Sequence, residues 1–321
     1  MKTAFQEQVS RILAWCRTGA CILAYHRVAE LATDHDQLAV TPEQFRQQMS
    51  IVRRHYRVMG VADLTAALCR GQAPGRAMVV TFDDGYADNF THALHILEEF
   101  EVPATVFVTA DMVGSARAFW WDELDSLISS AGAAAGVGPV PQDLHSVLKT
   151  LPAPQRDRML RDLAARQGVA RENQLARTAL THTQLKQLAA HPLIEIGAHT
   201  LSHPQLSALN PQEQDHEITQ GKRVIEAWLG RSVNSFSYPF GGRRDWNATT
   251  RRLVQTAGFS AACTTVPGLV TRACDPLALP RCLVRAWSGA AFQQRLAAFS
   301  QEAKRMSPPW KMSRGARARV A

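Results

Sequence analysis

The stretch Val79-Val80-Thr81-Phe82-Asp83-Asp84-Gly85-Tyr86 constrains this chain more than any other. Four apolar or β-branched residues run into two adjacent carboxylates and a glycine. Such a run, closed by a turn signal, predicts a short buried strand. The acids then stand at its C-terminal end, where α/β folds collect their chemistry. Consecutive strand residues point to opposite faces. A bend at Gly85 is therefore needed to aim both carboxylates at one pocket, one acid binding a metal and the other staying free as a base. A pair that only caps the following helix is the alternative.

A second stretch, Glu195-Ile196-Gly197-Ala198-His199-Thr200-Leu201-Ser202-His203-Pro204, is again an apolar strand and ends in two histidines four apart. Neutral imidazole is a standard zinc ligand, and a carboxylate is a natural third. His199 is expected to leave the strand end. His203 is expected near the first turn of the next helix, because Pro204 suits a first helical position. Two histidines at this spacing also occur by chance on helix surfaces, but two such stretches at two strand ends are harder to explain that way.

Strands and helices alternate along most of the chain. Ala20 to Tyr25 predicts a buried strand leading into His26. Thr41-Pro42-Glu43-Gln44 and Asn210-Pro211-Gln212-Glu213 read as capping boxes that open helices. Helical spacing from Ala87 to Phe100 precedes Pro103 and a strand from Ala104, a βαβ unit that argues for parallel strands. Short strands are expected near Ser235, Ala261 and Leu283. Residues 115–181 break the rhythm: rich in Ala, Leu and Arg, they predict a helical insertion on the strand-end rim. Six or seven short strands in this order predict an α/β fold, a distorted (β/α) barrel of about seven strands.

Thr-Phe-Asp-Asp-Gly followed about a hundred residues later by His-Thr-x-x-His resembles the NodB-homology polysaccharide deacetylases, carbohydrate esterase family 4. Ser237-Tyr238-Pro239-Phe240-Gly241 resembles that family's Pro-aromatic-Gly loop. The resemblance spans about residues 20 to 290 and implies a distorted barrel of seven or so strands. It implies Asp84, His199 and His203 as ligands of one divalent metal ion, with zinc the default, and Asp83 as general base. It implies an oxyanion donor in the backbone N–H of Phe240. The implied reaction removes N-acetyl groups from amino sugars of a polysaccharide or glycolipid precursor.

Two departures from the family pattern matter. Many members carry an arginine two residues before the loop proline, and here that position is Ser237. Arg281, in Leu279-Pro280-Arg281, is the candidate to orient the base from a neighbouring strand; a surface arginine is the commoner alternative. Many members also take their acid from a C-terminal histidine, yet the last histidine here is His216. His26 is the candidate substitute, since first and last strands are neighbours in a closed barrel; a structural histidine after a strand is the commoner alternative. Tyr25-His26-Arg27-Val28 also looks like the opening strand of the poly-N-acetylglucosamine deacetylase branch. Tyr86, Trp120, Trp121 and Trp246 are candidate substrate-rim aromatics; rings that pack the insertion onto the barrel are the alternative for the tryptophans at its start.

The expected organisation is an N-terminal amphipathic helix over 1–19, with Phe5, Val9, Ile12, Leu13 and Cys16 on one face, then the barrel over 20–298 and a basic tail over 299–321. The N-terminus lacks the uninterrupted apolar core of a signal peptide, and no apolar run is long enough to span a bilayer. A cytoplasmic location is expected, possible contact with the inner membrane face included. Six cysteines without a CxxC point to buried free thiols in a reducing compartment, with a Cys263–Cys282 bridge left open. The net charge of +8 has much of its excess in the tail, which reads either as solvated chain or as a patch for anionic lipid or acidic glycan. No motif supports nucleic-acid binding. A non-sugar amide substrate, or a non-catalytic glycan-binding barrel, are the rival functions. The intact acids and histidines argue against the second.

Overall fold

The computed structural model describes residues 19–72, 74–131, 143–168 and 178–305. The expected N-terminal helix through residue 18, Cys16 included, and the tail beyond residue 305 lie outside the described residues.

The first half of the chain runs β1 (Ala20–Tyr25), β2 (Arg27–Val28), β3 (Ala39–Val40), α1 (Pro42–His55), β4 (Arg57–Val58), α2 (Val61–Cys69) and β5 (Ala77–Phe82). A π-helical turn, Asn89–Ala93, leads into α3 (Leu94–Phe100), and β6 (Ala104–Val108) follows. Then come three helices, α4 (Trp120–Ala131), α5 (Leu144–Thr150) and α6 (Ala153–Gln167). The alternation resumes with α7 (His182–Ala190), β7 (Ile194–Ala198), α8 (Pro211–Leu229), β8 (Ser235–Ser237), α9 (Ala248–Thr256), β9 (Ala261–Cys263), β10 (Cys282–Leu283) and α10 (Gly289–Arg305). The closing helix α10 thus runs past residue 298, where the sequence reading begins the tail.

Seven strands form one curled sheet in the order β10-β1-β5-β6-β7-β8-β9, with β4 added beside β5. Every pair is parallel, as expected of strands joined by crossover helices. β1, β5 and β6 are buried along their whole length, which explains why they read as continuous apolar runs rather than alternating ones. The fold is the expected distorted (β/α) barrel.

The gap between the sheet edges is spanned by one segment. Ala262 N–H donates to Pro276 O, Leu279 N–H to Ala262 O and Thr264 N–H to Leu279 O, each at 2.8 Å. The same segment then enters β10, where Cys282 pairs with Leu23 of β1. Arg281 therefore lies on the seam between first and last strands.

Local rules explain the helix starts. Thr41 and Asn210 form the capping boxes expected of them, and Asn247 caps α9 by accepting from the N–H groups of Thr249 and Thr250. The insertion helices α4, α5 and α6 close over a core containing Trp120, Trp121, Leu124, Leu127, Leu148 and Leu160. Cys21, Cys263, Cys274 and Cys282 are buried free thiols, so the Cys263–Cys282 bridge is not formed, and Cys69 is exposed. Among the described residues no helix is long and apolar enough to cross a membrane.

Candidate active site

The acid pair sits where β5 ends. Asp83 N–H donates to Tyr25 O at 2.9 Å, tying it to β1. Asp84 then turns left-handed, with φ 73, and Gly85 follows with φ 80. A non-glycine residue adopts this conformation uncommonly and at a cost. Here it re-aims the chain so that two adjacent carboxylates share one pocket. Gly85 also lets β6 pass close by: an added Cβ would meet Val108 at 3.3 Å.

The histidines are set by the loop after β7. His199 N–H donates to Val108 O at 2.9 Å. Thr200 and His203 are both left-handed, with φ 63 and φ 60. The Glu217 carboxylate of α8 accepts from the N–H groups of Leu201 and Ser202, at 3.1 and 2.9 Å, and from Ser202 Oγ at 2.7 Å. Thr200 Oγ1 accepts from His203 N–H at 3.0 Å. The loop lies hard against α8, where a Cβ on Gly221 would stand 2.6 Å from the Thr200 carbonyl carbon. Pro204 does not begin a helix; the next α-helix opens at Pro211. Glu217 and Thr200 use up the loop's N–H groups, so no helical turn is needed to place His203.

Asp84, His199 and His203 converge. Their ligand atoms lie within 4.8 Å of one another, and each histidine Nε2 is 3.4 Å from Asp84 Oδ1. His199 Nδ1 lies 2.7 Å from the Ser237 carbonyl, which can only accept. That fixes Nδ1 as the protonated nitrogen and turns the Nε2 lone pair toward Asp84. Burial and the neighbouring His199 push the His203 pKa down to about 3, so His203 is a neutral donor at ordinary pH. Burial opposes a charge on His199, but Asp84 and Asp83 outweigh it and shift that pKa upward. Two imidazole nitrogens and a carboxylate oxygen, all buried, fit a divalent cation with positions left over for water or substrate. Among the described residues this is the one such group.

Asp83 is held by Arg281. Nη1 donates to Oδ1 at 2.8 Å and Nη2 to Oδ2 at 2.6 Å. The remaining guanidinium donors go to Thr81 Oγ1 at 3.1 Å, Ser237 Oγ at 2.9 Å and the Thr264 carbonyl at 2.8 Å. All five N–H groups are used, and the residue is fully buried. Arg281 is no surface arginine. Ser237, which cannot supply a charge, receives the arginine instead. Burial alone would raise the Asp83 pKa, but the Arg281 charge and His199 overcome it, and the carboxyl is held well below its ordinary range.

Asp83, Asp84, His199 and His203 line one cavity of about 320 Å³ together with His26 and Phe240. His26 is half-buried, and burial lowers its pKa despite Asp84 and Asp83. Phe240 is left-handed, with φ 60. Its carbonyl accepts from Thr265 Oγ1 at 2.6 Å, while its N–H has no acceptor among the described residues.

The aromatic candidates divide. Trp121 walls the cavity, its ring 4.7 Å from His203. Tyr86 is not at the rim: it is fully buried, its OH donates to Asp122 at 2.7 Å and accepts from Trp121 Nε1 at 2.7 Å. It clamps the first turn of α4 to the barrel. Trp120 is buried beside Arg156, not in the cavity wall. Trp246 stacks on Tyr238 at 4.8 Å and lines a neighbouring depression with Arg243 and Asn247. Tyr86 is held inward by the bonds of its hydroxyl to Asp122 and Trp121, and the two tryptophans by packing of their rings on Trp121 and Tyr238.

The sequence reading missed four residues of the cavity mouth, Asp36, His145, Lys149 and Asp245. Lys149 Nζ lies 2.6 Å from Asp245 Oδ1 and 4.3 Å from the Phe240 ring centre. His145 and Lys149 come from α5 of the insertion, where nothing in the local sequence separates them from its other basic residues.

The sequence profile of the family described as polysaccharide deacetylase matches residues 70–262, more than half of the chain. A Bacillus subtilis protein described as a polysaccharide deacetylase, YxkH, is 23% identical over 274 residues, covering 84% of this chain and 74% of that protein. The Escherichia coli poly-β-1,6-N-acetyl-D-glucosamine N-deacetylase is 32% identical over 92 residues, 28% of this chain but 14% of that protein. Among solved structures, the Streptococcus pyogenes deacetylase PplD in complex with acetate superposes with a TM-score of 0.60 at 19% identity, covering 86% of this chain and 97% of that one. IcaB from Ammonifex degensii gives a TM-score of 0.59 at 21% identity, covering 88% and 97%. The barrel and the family profile agree, and the chain belongs to the polysaccharide deacetylase family.

Proposed function

We propose that this chain is a metal-dependent hydrolase that removes N-acetyl groups from amino sugars of a polysaccharide or glycolipid precursor. The observation that carries the reading is the convergence of Asp84, His199 and His203 beside Asp83 in one cavity. Asp84, His199 and His203 would hold a divalent ion, zinc first, which would supply Lewis-acid activation of water and of the amide carbonyl. Asp83 takes the water's proton. Arg281 fixes its direction and keeps it ionised, at the expense of basicity, so position rather than proton affinity is what this base contributes. The Phe240 N–H supports the developing oxyanion. His26 supplies the proton to the leaving amine.

The amino-sugar substrate is supported by the Escherichia coli relative, whose name states a poly-β-1,6-N-acetyl-D-glucosamine substrate, and by the Trp121 wall, since an aromatic ring suits a sugar face. The basic residues toward the C-terminus support peripheral contact with an anionic membrane surface, where a lipid-linked substrate would lie.

The test is deacetylation of defined N-acetylated oligosaccharides with and without chelator. Amine release that stops with chelator and returns with zinc is the expected result. Absence of release from the metal-loaded protein on all amino sugars, or release indifferent to chelator, contradicts the proposal.

A further inference from the structure

Arg156, on α6 of the insertion, is buried and unpartnered. It is 6% exposed, and its Nε has no hydrogen-bond partner. Its contact is the ring of Trp120, 5.3 Å from the guanidinium carbon. The carboxylates that act on it electrostatically, Asp157 and Glu217, are engaged elsewhere. Asp157 faces Arg117 at 4.0 Å, and Glu217 accepts from Leu201 and Ser202. An arginine does not escape burial by losing its proton, and an uncompensated buried charge is costly.

Two more buried nitrogens share its cavity. Trp120 Nε1 and His203 Nδ1 also lack partners, on side chains that are 6% and 5% exposed. His203 Nε2 faces Asp84 at 3.4 Å, so His203 is a wall of this cavity and the donors in it are Arg156 and Trp120. Indole N–H and guanidinium only donate. All three residues line a second cavity of about 160 Å³, which shares Trp121 and His203 with the active-site cavity. That volume is several times the roughly 30 Å³ share of one water molecule. Asp157 and Glu217 offset its charge at a distance, but neither bonds to it. The carboxylates of Asp111, Glu123 and Asp157 line the same cavity, so an occupant must be small and carry its charge at one end.

We propose that Arg156 and Trp120 form a binding site for a small oxyanion, of the size of acetate, behind the metal-ligand cluster. The identification of that oxyanion with acetate released by the reaction rests on the deacetylase reading; the site itself does not. Phosphate offers the same chemistry from another source.

The experiment titrates sodium acetate, and separately inorganic phosphate, into the full chain treated with chelator. An amine buffer at constant ionic strength with chloride as counter-ion is used. Tryptophan fluorescence and thermal shift are read. A saturable response to acetate is expected, at least tenfold weaker in Arg156→Leu and weakened in Trp120→Phe. A response to phosphate without one to acetate overturns the acetate assignment. No saturable response to either anion, or equal affinity in parent and variants, overturns the site. Should Arg156→Leu fail to fold, Arg156→Lys and Trp120→Phe decide, and unchanged affinity in both is the contrary result. Because the titration contains no amide substrate, failure of the deacetylase reading and failure of this site are read separately.

Discussion

Arg281 grips Asp83 through two hydrogen bonds of 2.8 and 2.6 Å between residues 198 positions apart. The fork closes the barrel seam and orients the proposed base at once. Removing one partner of a buried pair leaves the other charge uncompensated, a loss of about 3–5 kcal/mol. Arg281→Met should therefore lower both the thermal midpoint and kcat. Arg281→Lys, which keeps charge but loses the planar fork, should fall between parent and Arg281→Met in both. Unfolding curves and initial rates on the three proteins check this.

The same pair sets an acid limit on stability. The folded pKa of Asp83 lies below the ordinary aspartate value of 3.8. A depressed acid contributes stability that is fully present above its unfolded pKa and is lost as pH falls toward the folded value. The parent should lose thermal stability with acidification below about pH 4, more steeply than Asp83→Asn. Equal slopes would assign acid sensitivity to other groups.

Metal binding should itself depend on pH, in a direction set by His199. Its pKa is raised above 6.5, against burial, by Asp84 and Asp83. A cation must displace that proton, so affinity should fall as pH drops through the imidazole range. Competition with a chelator of known affinity, at about pH 8 and about pH 6, measures it. Affinity that is flat or rises on acidification contradicts the ligand assignment.

His26→Ala should depress kcat and leave metal content unchanged. Burial lowers the His26 pKa below 6.5, so its acid form is depleted as pH rises through that lowered value. If His26 donates the proton, kcat should decline with rising pH from below 6.5, and the decline should vanish in His26→Ala. A pH–rate profile on both proteins decides.

Much of the site was legible because its pieces are local. A β-rich run ending in Asp83-Asp84-Gly85, and another ending in His199, announce strand ends without reference to the rest of the fold. The capping boxes at Thr41 and Asn210 are equally local. What depends on tertiary partners was not legible. Pro204 satisfies a helix-start rule, yet Glu217 holds the loop in another shape. Tyr86 resembles a rim residue until Asp122 and Trp121 occupy its hydroxyl. Lys149 and Arg156 sit among many exposed basic residues in the insertion, and only its docking on the barrel separates them from the rest. Arg281 was reachable from its place before the last strand, but its burial was not.

The measurement that bears most directly on the central claim is metal content by elemental analysis, paired with turnover, for the parent, Asp83→Asn and His199→Ala. The account predicts one divalent ion per chain in the parent, an ion retained without turnover in Asp83→Asn, and loss of both in His199→Ala. Parent protein that deacetylates without a bound ion, or His199→Ala that keeps ion and turnover, would contradict it.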